Sequence, residues 1–191
     1  MTAYAYDTEF IEHSVYVGIW PFGRRVRTIE LISIGIVCED SREYYAVNAD
    51  APWKAIRKHT WLRENVLPSL PRIHGDRRDH HPRRNFGLDF RNPRVKPHQQ
   101  IADEVRQFLL AGDSAPELWA SYGAYDHVVH CWLYGSMIDL PNGLPMWTRD
   151  LQHEAASHHL HIPEQESGAH NALEDARHVM SVLREEWGVV R

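Results

Sequence analysis

Cysteine is nearly absent: Cys38 and Cys131 are the only two in 191 residues. Two thiols without metal-site spacing exclude a disulfide framework and a cysteine-built metal site. Long apolar runs are missing too. The longest, Leu31 to Cys38, falls far short of the roughly 20 residues that cross a bilayer, so no membrane contact is expected. The N-terminus has no basic stretch followed by an apolar core, so no export signal is visible and a cytoplasmic location is expected. There is no internal repeat. Excess positive charge is also lacking: the net charge of −5 argues against a general nucleic-acid coat protein. The chain has ample apolar material, 43% against 25% charged, which excludes a disordered tail or a collagen-like fibre. Its length suits one domain that needs no disulfide staple.

The charge is unevenly spread. Arg72 to His98 carries seven Arg, one Lys and three Asp, a net +5, which leaves −10 on the remainder. A basic segment on an acidic body suits an acidic site plus a polyanion contact, and equally a solvated loop. Pro82, Pro93, Pro97, Gly75 and Gly87 argue against a buried helix there. Fourteen His is a high count, but His80-His81 and His158-His159 sit in polar surroundings without zinc-type spacing.

Periodicity predicts strands at Ala3–Phe10, Thr28–Glu39, Glu43–Asn48, Pro116–Tyr122 and Pro145–Arg149, the first three forming an antiparallel meander. Between the first two, Ile11 to Arg27 reads as a loop or hairpin extension. Helices are expected over Trp53–Leu67, from Ile101 to Gly112, around Tyr125–Leu133, up to about His159, and from Asn171 onward. Tyr125, Val129, Trp132 and Leu133 form one helical stripe. Glu174 stands three residues after Asn171 as a capping-box partner. This order predicts an α/β fold with a mixed five-stranded sheet flanked by helices.

Four carboxylates and one imidazole carry the chemistry. Asp7 and Glu9 lie two apart on a strand and so share a face. Near a sheet centre such a pair is costly unless a cation joins them; taken alone, it reads as well as an edge pair facing water. Asp126 lies one turn into a helix that follows Gly123, near the carboxyl end of a strand, or else caps its own helix. His170 stands just outside the last helix and Asp175 one turn inside it. An isolated His at such a place is more often a polar loop residue. Together, Asp7, Glu9, Asp126 and Asp175 can hold two oxygen-preferring ions, Mg²⁺ or Mn²⁺, suited to attack of water on a phosphodiester. His170 can take the proton from that water.

D-T-E at 7–9, Asp126, and H-N-A-L-E-D-A at 170–176 resemble the three motifs of the DEDDh branch of the DnaQ-like 3′–5′ exonucleases. Asn171, where the sister branch has Tyr, fits the His branch. More narrowly, Y-D-T-E-F-I-E, I-E-L-I-S-I-G-I-V, E-Y-Y-A-V and E-L-W-A-S-Y-G-A-Y-D-H-V resemble the compact mycobacterial and phage exoribonucleases of the AS type. The resemblance implies a ribonuclease H-like fold and one exonuclease domain over residues 1–191. Residues of about 14–27 and 72–98 are insertions relative to that family. It implies release of nucleoside 5′-monophosphates from single-stranded RNA 3′ ends by two metal ions, in a homodimer. Asp7 then bridges both ions, Glu9 and Asp175 complete one, Asp126 supports the other, and His170 is the general base. Phe10, directly after the metal strand, is the expected platform for the terminal base or sugar, and reads equally as plain core. S-Y-G precedes Ala124 where many members have H-N-A, so the substrate contacts expected at Ser121 and Tyr122 depart from the family pattern while the carboxylates stay intact. Arg77, Arg78, Arg83 and Arg84 are expected to hold upstream RNA, with Phe86 or Phe90 stacking on a base.

Other readings use the same residues. A proofreading or repair exonuclease would perform this chemistry on DNA, since selection of RNA needs a contact to the 2′-hydroxyl. A catalytically silent nucleic-acid-binding module would keep the fold without needing metal. A His-rich metal buffer would bind zinc without cleaving anything.

Overall fold

The structure, a computed structural model, describes residues 1–73, 87–112 and 114–190. Its centre is one long strand. β1 (Thr2–Val17) pairs antiparallel with β2 (Arg24–Cys38), which pairs antiparallel with β3 (Glu43–Asn48). A two-residue β4 (Val95–Lys96) adds parallel to β3. On the other side of β1, β5 (Pro116–Ala120) and β6 (Arg149–Asp150) add in parallel. The sheet is therefore mixed and α/β as expected, but six-stranded, in the order β4-β3-β2-β1-β5-β6. The extra strand is β4, whose two residues are too few to show a period and sit inside the basic segment.

Even-numbered Tyr4 and Tyr6 face α3 (His98–Leu109) and α4 (Ala124–Trp132), packing with Ile101, Val105, Leu109 and Val129. Odd-numbered Ala3 and Ala5 face α6 (Ala172–Ser181) and pack with Leu173, Ala176, Val179 and Met180. α5 (Leu151–His158) contributes Leu151 to that second side. A third cluster joins Ile11, Ile32 and Val47 to α1 (Trp53–Ile56) and α2 (Thr60–Asn65). The single helix expected over Trp53–Leu67 is broken, because His59 leaves the helix and its side chain caps α2 by accepting from the Leu62 N–H.

Strict alternation along β2 fails at one place. Glu9 pairs with Ser33 but Phe10 pairs with Leu31, so β2 carries an extra residue, Ile32. This bulge lets Ile29 and Leu31 share a core with Ile34, Ile36 and Cys38, although Leu31 and Ile34 are three apart. Ile32 turns instead into the third cluster. Past the bulge the hairpin alternative holds: β1 and β2 stay paired out to Val17 and Arg24, so residues 14–27 form a two-stranded ribbon.

Gly35 of β2 stands opposite Asp7. A Cβ there would lie 2.3 Å from the Ala172 carbonyl oxygen and 2.4 Å from the Leu173 Cα, both backbone atoms of α6. Only a residue without a side chain lets the first turn of α6 rest on the sheet here. Gly35→Ala should therefore push α6 outward and cost about 1–3 kcal/mol or more, as overpacking does. Thermal melting combined with activity would show both a lower midpoint and a lower rate; a melting curve identical to that of the unsubstituted chain would contradict this packing.

Candidate active site

β5 pairs with β1 only as far as Ala5, and β1 runs on past it. Asp7 and Glu9 project from that continuation, beside the carboxyl end of β5, in the position that open α/β sheets reserve for their sites. The turn leaving β5 places Ser121 and Tyr122 over the same notch, and α6 delivers Asp175 from the opposite direction. The resulting pocket, about 270 Å³, is lined by Asp7, Thr8, Glu9, Phe10, Trp61, Ser121, Tyr122, Tyr125, Asp126, His170 and Asp175.

One carboxylate oxygen from each of Asp7, Glu9 and Asp175 lies within 4.8 Å of the other two. Asp126 is held differently. Its Oδ1 accepts from the Thr8 backbone N–H at 2.8 Å and from the Thr8 hydroxyl at 2.6 Å. It does not join the tight trio; it ties α4 to the residue between Asp7 and Glu9, and it also accepts from its own backbone N–H in the first turn of α4. Gly123 does permit the turn before α4, but not through left-handed backbone: its φ is −64°, and Tyr122 takes φ +57°. Gly123 is needed for space, since a Cβ would approach Ala120 Cβ at 3.0 Å.

Asn171 caps α6 as expected, its Oδ1 accepting from the N–H groups of Leu173 and Glu174. The return half of the capping box is missing, because Glu174 pairs with Arg177 instead. His170 stands outside the helix at φ +64°. It is not free-standing: Ser69 Oγ donates to its carbonyl oxygen at 3.0 Å, and its ring meets Trp61 edge-on with centroids 4.7 Å apart. Left-handed backbone at two non-glycine residues, Tyr122 and His170, stores strain at the pocket rim.

Phe10 is half-buried and stacked on Tyr125, with ring centroids 5.5 Å apart and planes 7° from parallel. Tyr125 and Trp132 are exposed, so the helical stripe expected on α4 buries only Val129 and Leu133. Thr8, Trp61 and Tyr125 line the pocket although no sequence signal assigned them to it. Arg77, Arg78, Arg83 and Arg84, and Phe86 with them, lie outside the described residues; Phe90 is exposed. Among the described residues no helix is long and apolar enough to cross a membrane.

The electrostatics of the trio are unfavourable as they stand. Burial first, then Asp126, Glu9 and Asp175, holds the Asp7 carboxyl well above the usual range. Burial, then Asp175 and Asp126, pushes Glu9 up to about 8. Burial raises Asp126 to about 6 against the opposing Thr8 hydrogen bonds, and burial raises Asp175 against Gln165 and His170. No described lysine or arginine lines this pocket. A larger cavity nearby, about 570 Å³, has Arg72, Arg94 and Arg177, but Arg177 is committed to Glu43 and Glu174. Converging hard oxygen donors that lack a counter-charge suit a divalent cation such as Mg²⁺ or Mn²⁺.

The sheet order and flanking helices define a ribonuclease H-like α/β fold. No protein-family model matches the chain. Two curated relatives from Mycobacterium tuberculosis, one from strain CDC 1551 / Oshkosh and one from ATCC 25618 / H37Rv, are each named a 3′–5′ exoribonuclease. Each is 38% identical over 176 residues, covering 91% of this chain and 86% of the relative. The chain belongs to their family, the 3′–5′ exoribonucleases.

The raised carboxyl groups set a pH dependence. Asp7 and Glu9 keep protons when folded that they release near their ordinary values, 3.8 and 4.5, when unfolded. The folded state then binds more protons between about pH 4.5 and 8, so metal-free stability falls as pH rises through that window. Melting in EDTA should show this decline, Mg²⁺ should raise the midpoint more at pH 8 than at pH 5, and Asp7→Asn should flatten the decline. A metal-free midpoint that climbs from pH 5 to 8, with no Mg²⁺ effect, would refute the clustered-carboxylate account.

Proposed function

We propose that this chain is a metal-dependent 3′–5′ exoribonuclease that removes nucleoside 5′-monophosphates from single-stranded RNA. The observation that carries this reading is the gathering of Asp7, Glu9 and Asp175 within 4.8 Å in a pocket that also holds His170 and Asp126. The relatives, each named a 3′–5′ exoribonuclease, support it.

Asp7, Glu9 and Asp175 would hold one divalent ion. Asp7, with Asp126 directly or through water, would hold a second; Thr8 occupies Oδ1 of Asp126 and leaves Oδ2 for that task. When bound, such ions supply positive charge that offsets the negative charge growing on the phosphate under attack. A ring nitrogen of His170, neutral at that moment, takes the proton of the attacking water. The water oxygen forms a bond to phosphorus while the bond from phosphorus to the 3′-oxygen of the preceding nucleotide breaks. That oxygen leaves as a hydroxyl after gaining a proton, and the terminal nucleotide departs with its 5′-phosphate. The Trp61 edge restricts the swing of the imidazole. The Phe10–Tyr125 stack offers a flat apolar wall for the terminal base or sugar, and Tyr122 stands over the entrance.

Incubation of 5′-labelled RNA and matched DNA with Mg²⁺ or EDTA tests the reading. RNA should shorten from its 3′ end only when metal is present. Shortening of DNA at an equal rate would overturn the preference for RNA, and unchanged RNA would overturn the activity. Asp7→Asn or Asp175→Asn should abolish turnover while leaving the metal-free fold intact or slightly stabilised, because like charges repel there. His170→Ala should bind RNA as before but lose about 10²–10⁴ in rate, the usual effect of removing a positioned base. An undiminished rate would remove His170 from the mechanism.

A further inference from the structure

The ribbon at the end of β1 and β2 is covered by nothing among the described residues and carries an unusual surface. Phe22 N–H donates to the Ile19 carbonyl at 2.8 Å and closes the tip turn. Trp20 at the tip is 80% exposed and Phe22 is 94% exposed. Behind them, Tyr16 pairs across the ribbon with Arg25, and Ser14 with Arg27, so Tyr16, Arg25 and Arg27 share one face. Val17 pairs with Arg24 on the other face. Tyr16 lies flat against the Gly23 backbone, where a Cβ would meet its ring at 2.5 Å. Residues 14–27 contain three arginines and no acid, on a chain whose net charge is −5. Arg24, Arg25 and Arg27 make no ion pair or side-chain hydrogen bond with any described residue, so their charge is available.

We propose that this ribbon is a binding arm for single-stranded RNA, engaging nucleotides upstream of the 3′ end held in the acidic pocket. The proposal rests on the exoribonuclease reading for its substrate and on the ribbon alone for its chemistry. Unpaired arginines interleaved with exposed aromatic rings make up the surface that single strands select: cations follow the phosphates while rings stack on bases without regard to sequence. A purely apolar tip would suit a second copy of the chain equally well; the acid-free cationic flank favours a polyanion. The arm is also a direct continuation of the strand that bears Asp7 and Glu9. From Glu9 to Val17 it extends about 27 Å at 3.4 Å per residue, a span that a stacked strand covers in roughly eight nucleotides. The pocket itself has carboxylates and no described lysine or arginine, so cationic grip on the upstream strand has to come from elsewhere.

RNA binding is measured in an Asp7→Asn background, which prevents turnover, with a labelled strand of about 20 nucleotides and with a trinucleotide too short to reach the arm. Arg25→Ala with Arg27→Ala, on the Tyr16 face, should weaken the long strand by about tenfold at low salt and lower its salt slope by about 1.4, at roughly 0.7 per phosphate. Trp20→Ala with Phe22→Ala should weaken it by about tenfold with the slope retained. The trinucleotide should change by less than about twofold, because the loss depends on reach. Long-strand binding that survives both variants, or equal loss on both lengths, overturns the proposal. So does a change of mass in light scattering with RNA affinity untouched, which assigns the arm to a second copy. If the unsubstituted chain degrades no RNA while the arm variants still lose affinity, the nuclease reading fails and the arm stands.

Discussion

At Gly35 the backbone of α6 comes so close to β2 that a single methyl group would overlap Ala172 and Leu173. The position of Asp175 follows from that approach, since it lies one turn into α6. The partner of Gly35 in the ladder is Asp7, so helix and carboxylate meet over the same rung of the sheet. On the other face, Thr8 uses its N–H and its hydroxyl to hold Asp126 of α4. Three consecutive residues of β1 thus connect to two helices on opposite faces, and their spacing is fixed by the pleat rather than by any loop.

This arrangement opposes its own stability. Burial raises all four carboxyl groups, and repulsion from the others adds to it at Asp7 and Glu9, with Glu9 reaching about 8. Tyr122 and His170 add left-handed backbone at the same rim. The costs are borne by packing elsewhere: the tyrosines of β1 against α3 and α4, and a tight aliphatic seam under α6. Strain and like-charge crowding concentrated at one pocket are what a functional site imposes on an otherwise consistent fold.

Local pattern disclosed much of this. A period of two placed Asp7 and Glu9 on one face, and Asn171 was readable as an N-cap from the residues that follow it. What escaped depends on distant partners. The extra residue at Ile32 is invisible because isoleucine fits either side of a sheet. Trp61 reaches His170 across more than a hundred residues, and nothing in its own neighbourhood points there. The tie from Thr8 to Asp126 is equally nonlocal, so Asp126 read as well as a helix cap. The stretch 11–27 reads equally as a loop or a hairpin extension, because Pro21, Gly23 and its charges offset the alternation of V-Y-V and R-V-R; the structure shows the hairpin. Tyr125 fitted a helical stripe by spacing, yet its ring stacks on Phe10 at the pocket and stays exposed.

Asp7 and Asp175 are 168 positions apart in the chain. At roughly 5–20 residues per second, a ribosome takes on the order of 10–30 s to travel from one to the other. For that interval the nascent chain holds two acidic residues on a strand and no third to close the trio. The cluster comes into being only when the last helix docks against Gly35, long after β1 and β2 have left the ribosome. A cluster drawn from positions so far apart in the chain cannot form before the last helix has been made and has docked.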